Sequence, residues 1–216
     1  MIKGVLFDFD GVIVRSEPLH RETFLELLSP YGITVSEERW YREFAGTGSR
    51  HIFEVLIREN GLGLDVGGLV ERRKRIYEER VRSGRLEEMP GIKGFLGALK
   101  SRGIKTAIVS GSHRTNVQAA LDTLGIGPFE LIVSGDDVLE RKPDPGPFLH
   151  AAKSLGIKPA ECLAFEDSVS GCVAVRRAGM RLIIVDSPAT RHAGRSDLVI
   201  KDFSPDECER ISKVIG

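Results

Sequence analysis

The chain opens on a three-residue apolar run, Val5-Leu6-Phe7, that stops at an acid, Asp8. Further short runs follow only after residue 104: Lys105–Val109, Leu131–Val133, 163–165, 182–185 and Leu198–Ile200. Each is too short for a helix and is bounded by Gly, Asp or Ser, so each reads as a buried strand. Helical patterns lie between the later runs. One begins at Ser112 as N-cap and carries Val117, Leu121 and Leu124 to Gly125. Another starts near Pro145 and carries Phe148, Leu149, Ala152 and Leu155 to Gly156, and a third runs from near Ser168 to Gly179. Strands alternating with helices imply right-handed crossovers and predict an α/β fold with a doubly wound, Rossmann-like parallel sheet.

Residues 17–84 obey a different period, with helical spacing throughout and no strand run. Leu19, Phe24, Leu27, Leu28 and Tyr31 fit one helix, begun by Ser16 with Pro18 in its first turn. Residues 36–44, 49–60 and 65–83 supply further helices between Gly-containing turns. Such a block is too long for a simple crossover, so it reads as a small α-helical cap inserted after the first strand. The expected division is a catalytic core of 1–14 and 86–216 with a cap of 15–85. Short junctions at both ends suit a hinged lid.

Charge and cysteine usage narrow the function classes. Thirty-one Lys and Arg balance thirty-one Asp and Glu, which argues against nucleic acid or an anionic membrane as partner. Three cysteines, Cys162, Cys172 and Cys208, show no paired spacing and predict a reducing compartment. Met1 runs into the first strand without a leader, and no stretch is apolar enough for a membrane helix. The expectation is a soluble, cytoplasmic monomer.

In an open parallel sheet, ligands bind beyond the carboxyl ends of the strands. The residues there are Asp8-Phe9-Asp10-Gly11, Ser110-Gly111-Ser112 and Glu166-Asp167-Ser168, with Lys142-Pro143-Asp144-Pro145 before the helix that follows the third run. Two carboxylates about 4 Å apart repel by roughly 4 kcal/mol at an effective dielectric of 20. Asp8, Asp10, Glu166 and Asp167 therefore call for a cation, and oxygen-only ligands select a hard one, Mg2+. With its charge offset, Asp8 can attack phosphorus and form an acyl phosphate. Asp10, two residues on, can protonate the leaving alcohol and then deprotonate water. Ser110 and the backbone N–H groups around Gly111 and Ser112 suit phosphoryl oxygens, and Lys142 supplies positive charge.

The stretch DFDGVIVRSEPLH at 8–20, with SGS at 110–112, KPDP at 142–145 and FEDSVSG at 165–171, resembles the haloacid dehalogenase superfamily. The similarity covers nearly the whole chain. It is greatest to the branch with a helical cap after the first motif, which contains β-phosphoglucomutases and many small phosphatases. The resemblance implies Asp8 as nucleophile, Asp10 as general acid and base, and Ser110 and Lys142 as phosphate ligands. It further implies Mg2+ on the side chains of Asp8 and Asp167 and the backbone carbonyl of Asp10, with Glu166 assisting directly or through water. His20 and Arg50 match positions that help close the cap on substrate. Arg15 departs from the pattern, standing where many relatives have Asp. Ala45 stands where a β-phosphoglucomutase carries a basic cap residue, which favours a phosphatase over a mutase.

The expected function is therefore Mg2+-dependent hydrolysis of a small phosphomonoester, of the sugar phosphate or phosphoglycolate type. A phosphosugar mutase is the alternative, and a non-catalytic binding module, which would have lost a motif, is the remote one. Away from these motifs, Arg72 to Arg75 and Arg80 to Arg82 read as a solvated helix face paired with Glu71, Glu78 and Glu79. Ser112 reads as a simple N-cap, and the cysteines as small buried residues.

Overall fold

A computed structural model describes residues 1–216, apart from the side chains of Arg191 and His192. The strands are β1 (Gly4–Phe7), β2 (Val14–Arg15), β3 (Glu87–Glu88), β4 (Lys105–Val109), β5 (Leu131–Val133), β6 (Cys162–Glu166), β7 (Arg181–Val185) and β8 (Leu198–Ile200). The helices are α1 (Glu17–Leu28), α2 (Glu37–Arg39), α3 (Ser49–Glu59), α4 (Val66–Arg82), α5 (Ile92–Ser101), α6 (Arg114–Leu124), α7 (Gly146–Leu155), α8 (Val169–Arg177) and α9 (Pro205–Ile215). Six strands form one sheet in the order β5-β4-β1-β6-β7-β8, and every pairing in it is parallel. The expected α/β fold with a doubly wound parallel sheet is what the chain adopts.

Side chains alternate across the strands, and the two faces bury separate cores. Val5, Phe7, Ile108, Leu163, Phe165 and Ile183 face α5, α6 and α9 through residues such as Phe95, Leu99, Val117, Leu121 and Ile211. Leu6, Ala107, Val109, Ala164, Leu182 and Ile184 face α7 and α8 through Phe148, Leu155, Cys172 and Val175. Phe7 sits in register with Ile108 on one side and Phe165 on the other. Its ring stacks on Phe165 at 5.2 Å and meets Phe95, Phe129 and Phe203 at 6.1–6.2 Å. The residue after it, Asp8, is thereby fixed at the centre of the sheet's carboxyl edge.

The helices α1–α4 bury a third core around Phe24, Trp40, Phe44, Phe53 and Leu56. Both strands of chain that join them to the sheet pair with each other, Val14 with Glu88 and Arg15 with Glu87. Leu19, Tyr77 and Val81 pack instead with the first core, so the base of this helical unit rests on the sheet domain. Among the described residues no helix is long and apolar enough to cross a membrane.

Some local expectations need correction. Helix α1 ends at Leu28, and Tyr31 lies in a 3-10 turn, Ser29–Tyr31, because Pro30 has no N–H to continue the ladder. Residues 36–44 are one short helix followed by a π turn, Trp40–Phe44, rather than a single helix. Helix α6 starts one residue later than expected, with His113 rather than Ser112 at its N-cap position. Arg80 bonds Glu22 and Glu26 of α1, not acids on its own helix. Cys162 and Cys172 are buried as expected, and Cys208 is half-buried.

Truncating Phe7 to Ala opens a void at the sheet centre, and such a change costs about 3–5 kcal/mol. The expected result is that much less unfolding free energy in urea titrations, with the secondary structure retained. A loss below about 1 kcal/mol would contradict the packing described.

Candidate active site

Asp8 leaves β1 with its backbone N–H on Phe165 O at 2.9 Å and only 8% of its surface exposed. A tight turn follows, closed by Gly11 N–H to Val14 O at 2.8 Å. Gly11 has φ of 74°, and a Cβ there would fall 1.9 Å from Asp167 Oδ2, so both conformation and space demand glycine. The turn thus presses the Asp8–Asp10 loop against the end of β6.

Lys142 reaches the same point from the loop before α7. Its Nζ donates to Asp8 Oδ1 at 2.8 Å, to Val109 O at 2.9 Å and to Glu166 Oε1 at 2.6 Å, which uses all three protons. Glu166 is fully buried, and its Oε2 accepts from Asp167 N, Ser168 N and Ser168 Oγ at 2.9–3.0 Å. A Cβ on Gly171 would lie 1.8 Å from Glu166 Oε1, so this glycine makes room for the carboxylate under α8. Glu166 locks together the ammonium and the start of α8.

The charges do not balance. Asp8, Glu166 and Asp167 bring carboxylate oxygens within 4.8 Å of one another. One ammonium answers three acids. Burial pushes Asp8 up to about 7, helped by Glu166 and opposed by Lys142. Burial, Asp8 and Glu166 push Asp167 well above the usual carboxylate range. Oxygen-only donors with surplus negative charge suit a hard divalent cation such as Mg2+, and among the described residues no soft ligand joins the cluster.

Asp10 sits on the other side of the turn. Ser112 Oγ donates to its Oδ2 at 2.8 Å, so Ser112 is a partner of Asp10 rather than the expected N-cap. Asp10 Oδ1 is buried and has no hydrogen-bond partner among the described residues, and His20 Nε2 stands 3.6 Å from it. Burial pushes the Asp10 pKa up, but the His20 imidazole and the Ser16 and Ser112 hydroxyls outweigh it and bring the value to about 2. The His20 ring stacks on Tyr77 at 4.5 Å, and Arg73 Nη2 donates to its Nδ1. Arginine has no acceptor, so Nδ1 must be the bare nitrogen, and the ring proton lies on Nε2, towards Asp10.

A cavity of about 470 Å³ joins these groups. Asp8, Asp10, Ser110, Gly111, Lys142 and Asp167 line its floor, and His20 lines its cap side. Glu166 lies beneath the lining. Arg50 is not brought there: its side chain is about two-thirds exposed and pairs with Glu54 at 3.9 Å. Sequence reasoning passed over Arg73, Glu17 and Arg141, which all line the cavity. Arg73 had a readable signal, since Leu69, Arg73, Tyr77 and Val81 recur every four residues and place it on the buried stripe of α4.

The family model described as hydrolase, haloacid dehalogenase-like hydrolase, matches residues 2–179. The chain belongs to this family. The haloacid dehalogenase-like hydrolase is 37% identical over 191 residues to YhcW of Bacillus subtilis, spanning 88% of this chain and 86% of that one. It is 31% identical over 224 residues to the phosphorylated carbohydrates phosphatase of Thermotoga maritima, spanning 99% and 100% of the two chains. Its fold superposes with a TM-score of 0.79 on CbbY from Rhodobacter sphaeroides in complex with xylulose-(1,5)bisphosphate, at 26% identity over 95% and 96% of the chains.

Replacing Asp167 with Asn removes one of the crowded charges. The metal-free variant is expected to melt at a higher temperature than the metal-free parent, and to lose most of the rise that Mg2+ gives the parent. Differential scanning calorimetry with EDTA and with Mg2+ reads both. An unchanged Mg2+ response would remove Asp167 from the metal site.

Proposed function

We propose that this hydrolase is a Mg2+-dependent phosphatase for a small phosphomonoester and that it works through a phosphoryl group carried on Asp8. The observation that carries the reading is the Lys142 bond to Asp8 at the floor of a cavity that Asp10, Ser110 and Asp167 also line. An ammonium at 2.8 Å and a cation on the acid cluster keep Asp8 ionised, as a nucleophile requires. The cation would rest on Asp8, Asp167 and the Asp10 carbonyl, with Glu166 holding Lys142 beside them. When bound, Mg2+ supplies charge neutralisation for the acids and the phosphoryl oxygens.

In the first step an Asp8 carboxylate oxygen bonds to phosphorus, and the ester P–O bond breaks towards the alcohol oxygen. Asp10 gives that oxygen its proton. A phosphate dianion entering beside Asp10 raises its pKa by like-charge repulsion, which makes the acid available for this transfer. In the second step Asp10, now a carboxylate, takes a proton from water as the water oxygen bonds to phosphorus. The bond from phosphorus to Asp8 breaks, phosphate leaves and Asp8 is restored. Ser110 and the Gly111 backbone hold phosphoryl oxygens, and His20 keeps Asp10 turned to the cavity.

Residues 15–85 act as the lid that excludes bulk water during the first step. The cavity volume falls in the range that encloses a whole small molecule, which suits a sugar phosphate. The carbohydrate phosphatase and the sugar bisphosphate complex among the relatives support the same substrate class. Ala45 lines the cavity without a charge, which favours hydrolysis over phosphosugar isomerisation.

Phosphorus NMR of the protein with Mg2+ and a pool of sugar 1- and 6-phosphates is the test. Inorganic phosphate is expected to grow at the expense of particular esters. Interconversion of the esters with little free phosphate would instead make the protein a mutase. Asp8→Asn should abolish turnover, and Asp10→Asn should lower kcat by about 10²–10⁴-fold. Full turnover in EDTA would refute the metal role.

A further inference from the structure

We infer that Arg73 anchors a second anionic group of the substrate, so that the preferred ester carries a carboxylate or another phosphate besides the one removed. The inference rests on the phosphatase reading above and adds the chemistry of the far end of the substrate.

Arg73 is held by neutral groups alone. Its Nε donates to Thr23 Oγ1 at 3.2 Å, its Nη1 to Ser49 Oγ at 3.1 Å, and its Nη2 to His20 Nδ1. The guanidinium carbon lies 4.6 Å from the centre of the Phe24 ring and 5.2 Å from that of Tyr77. These contacts engage three of five N–H groups and fix the plane of the fork. No carboxylate oxygen lies within 4.0 Å of its nitrogens among the described residues, in contrast to the paired Arg39, Arg80 and Arg181. Burial pulls its pKa down, with only partial relief from Tyr77, Glu17 and Asp10.

A desolvated cation without an anion is unfavourable, and this one faces the substrate cavity. The acids nearby are engaged elsewhere. Glu17 accepts from Trp40 Nε1 at 2.8 Å and Gly46 N at 3.3 Å, and Asp10 stands beyond the His20 ring. Lys142 has all its protons on Asp8, Val109 and Glu166, so it has none free for a second anionic group. The cavity therefore has Lys142 and Arg141 as cations on the loop before α7 and Arg73 as its cation on the cap side. A planar fork with two N–H groups in hand matches a carboxylate or a phosphate in bidentate fashion.

The test measures selectivity within matched pairs in saturating Mg2+: fructose 1,6-bisphosphate against fructose 1-phosphate, and phosphoglycolate against 2-hydroxyethyl phosphate. The first pair reports a second phosphate and the second pair a carboxylate. The wild type is expected to prefer the doubly anionic member of at least one pair by about tenfold or more in kcat/KM. Arg73→Gln should collapse that ratio to near one through KM, and Arg73→Lys should keep most of it. A wild type with no preference in either pair overturns the inference, as does a Gln variant that keeps the ratio while losing kcat on all esters alike. That second result would make Arg73 a positioning residue for His20. Hydrolysis of p-nitrophenyl phosphate by the wild type is the control on the parent reading: if Mg2+ supports none, the phosphatase assignment itself fails, and the inference with it.

Discussion

The contact on which the site depends is the Lys142 ammonium lodged between Asp8 and Glu166. It joins the end of β1, the end of β6 and the loop before α7, three segments far apart in sequence. A buried ammonium with no acid, or two buried acids with no ammonium, would be costly by several kcal/mol. The surrounding glycines make sense in this light. Gly171 admits the Glu166 carboxylate beneath α8, and Gly11 lets the turn after β1 press against Asp167. The aromatic stack around Phe7 and Phe165 beneath them gives the acids a rigid base.

A second polar chain descends from the helical unit to the same place. It runs from Arg73 through His20 to Asp10, and Ser112 closes it from the sheet side. Its physical effect is to fix the tautomer of one imidazole and the orientation of one carboxylate. The two chains meet at the turn after β1, where Asp8 and Asp10 are separated by a single residue. One short loop thus places two acids of opposite character, Asp8 pushed up by burial among acids and Asp10 drawn down by donors.

The six strands of the main sheet and several helix ends were legible because their causes are local. Short apolar runs bounded by turn residues, Ser168 accepting from Gly171 N and Asp65 capping α4 are all readable in a few adjacent residues. The acids at the strand ends were legible from topology, since a parallel sheet collects them on one edge. Glu166 was harder. It belongs to the acid cluster, but its engagement with Lys142 and the start of α8 depends on packing that no spacing displays. Ser112 carried an N-cap signature that a longer-range acceptor, Asp10, overrode. Arg73 was hidden in a charged run whose other members are exposed, and only the four-residue stripe through Leu69 and Tyr77 sets it apart. Arg50 shows the converse, a cation expected in the pocket that pairs on the surface instead.

The claim that Asp8 carries the phosphoryl group can be tested without identifying the natural substrate. The protein would be mixed with Mg2+ and a hydrolysable ester, quenched in acid during the first turnover, reduced with borohydride and digested for peptide mass spectrometry. An acyl phosphate on Asp8 would be reduced to homoserine, so the account predicts homoserine at position 8 that depends on both ester and Mg2+. Turnover with unmodified Asp8 throughout, or with the modification at Asp10 or Asp167, would contradict it.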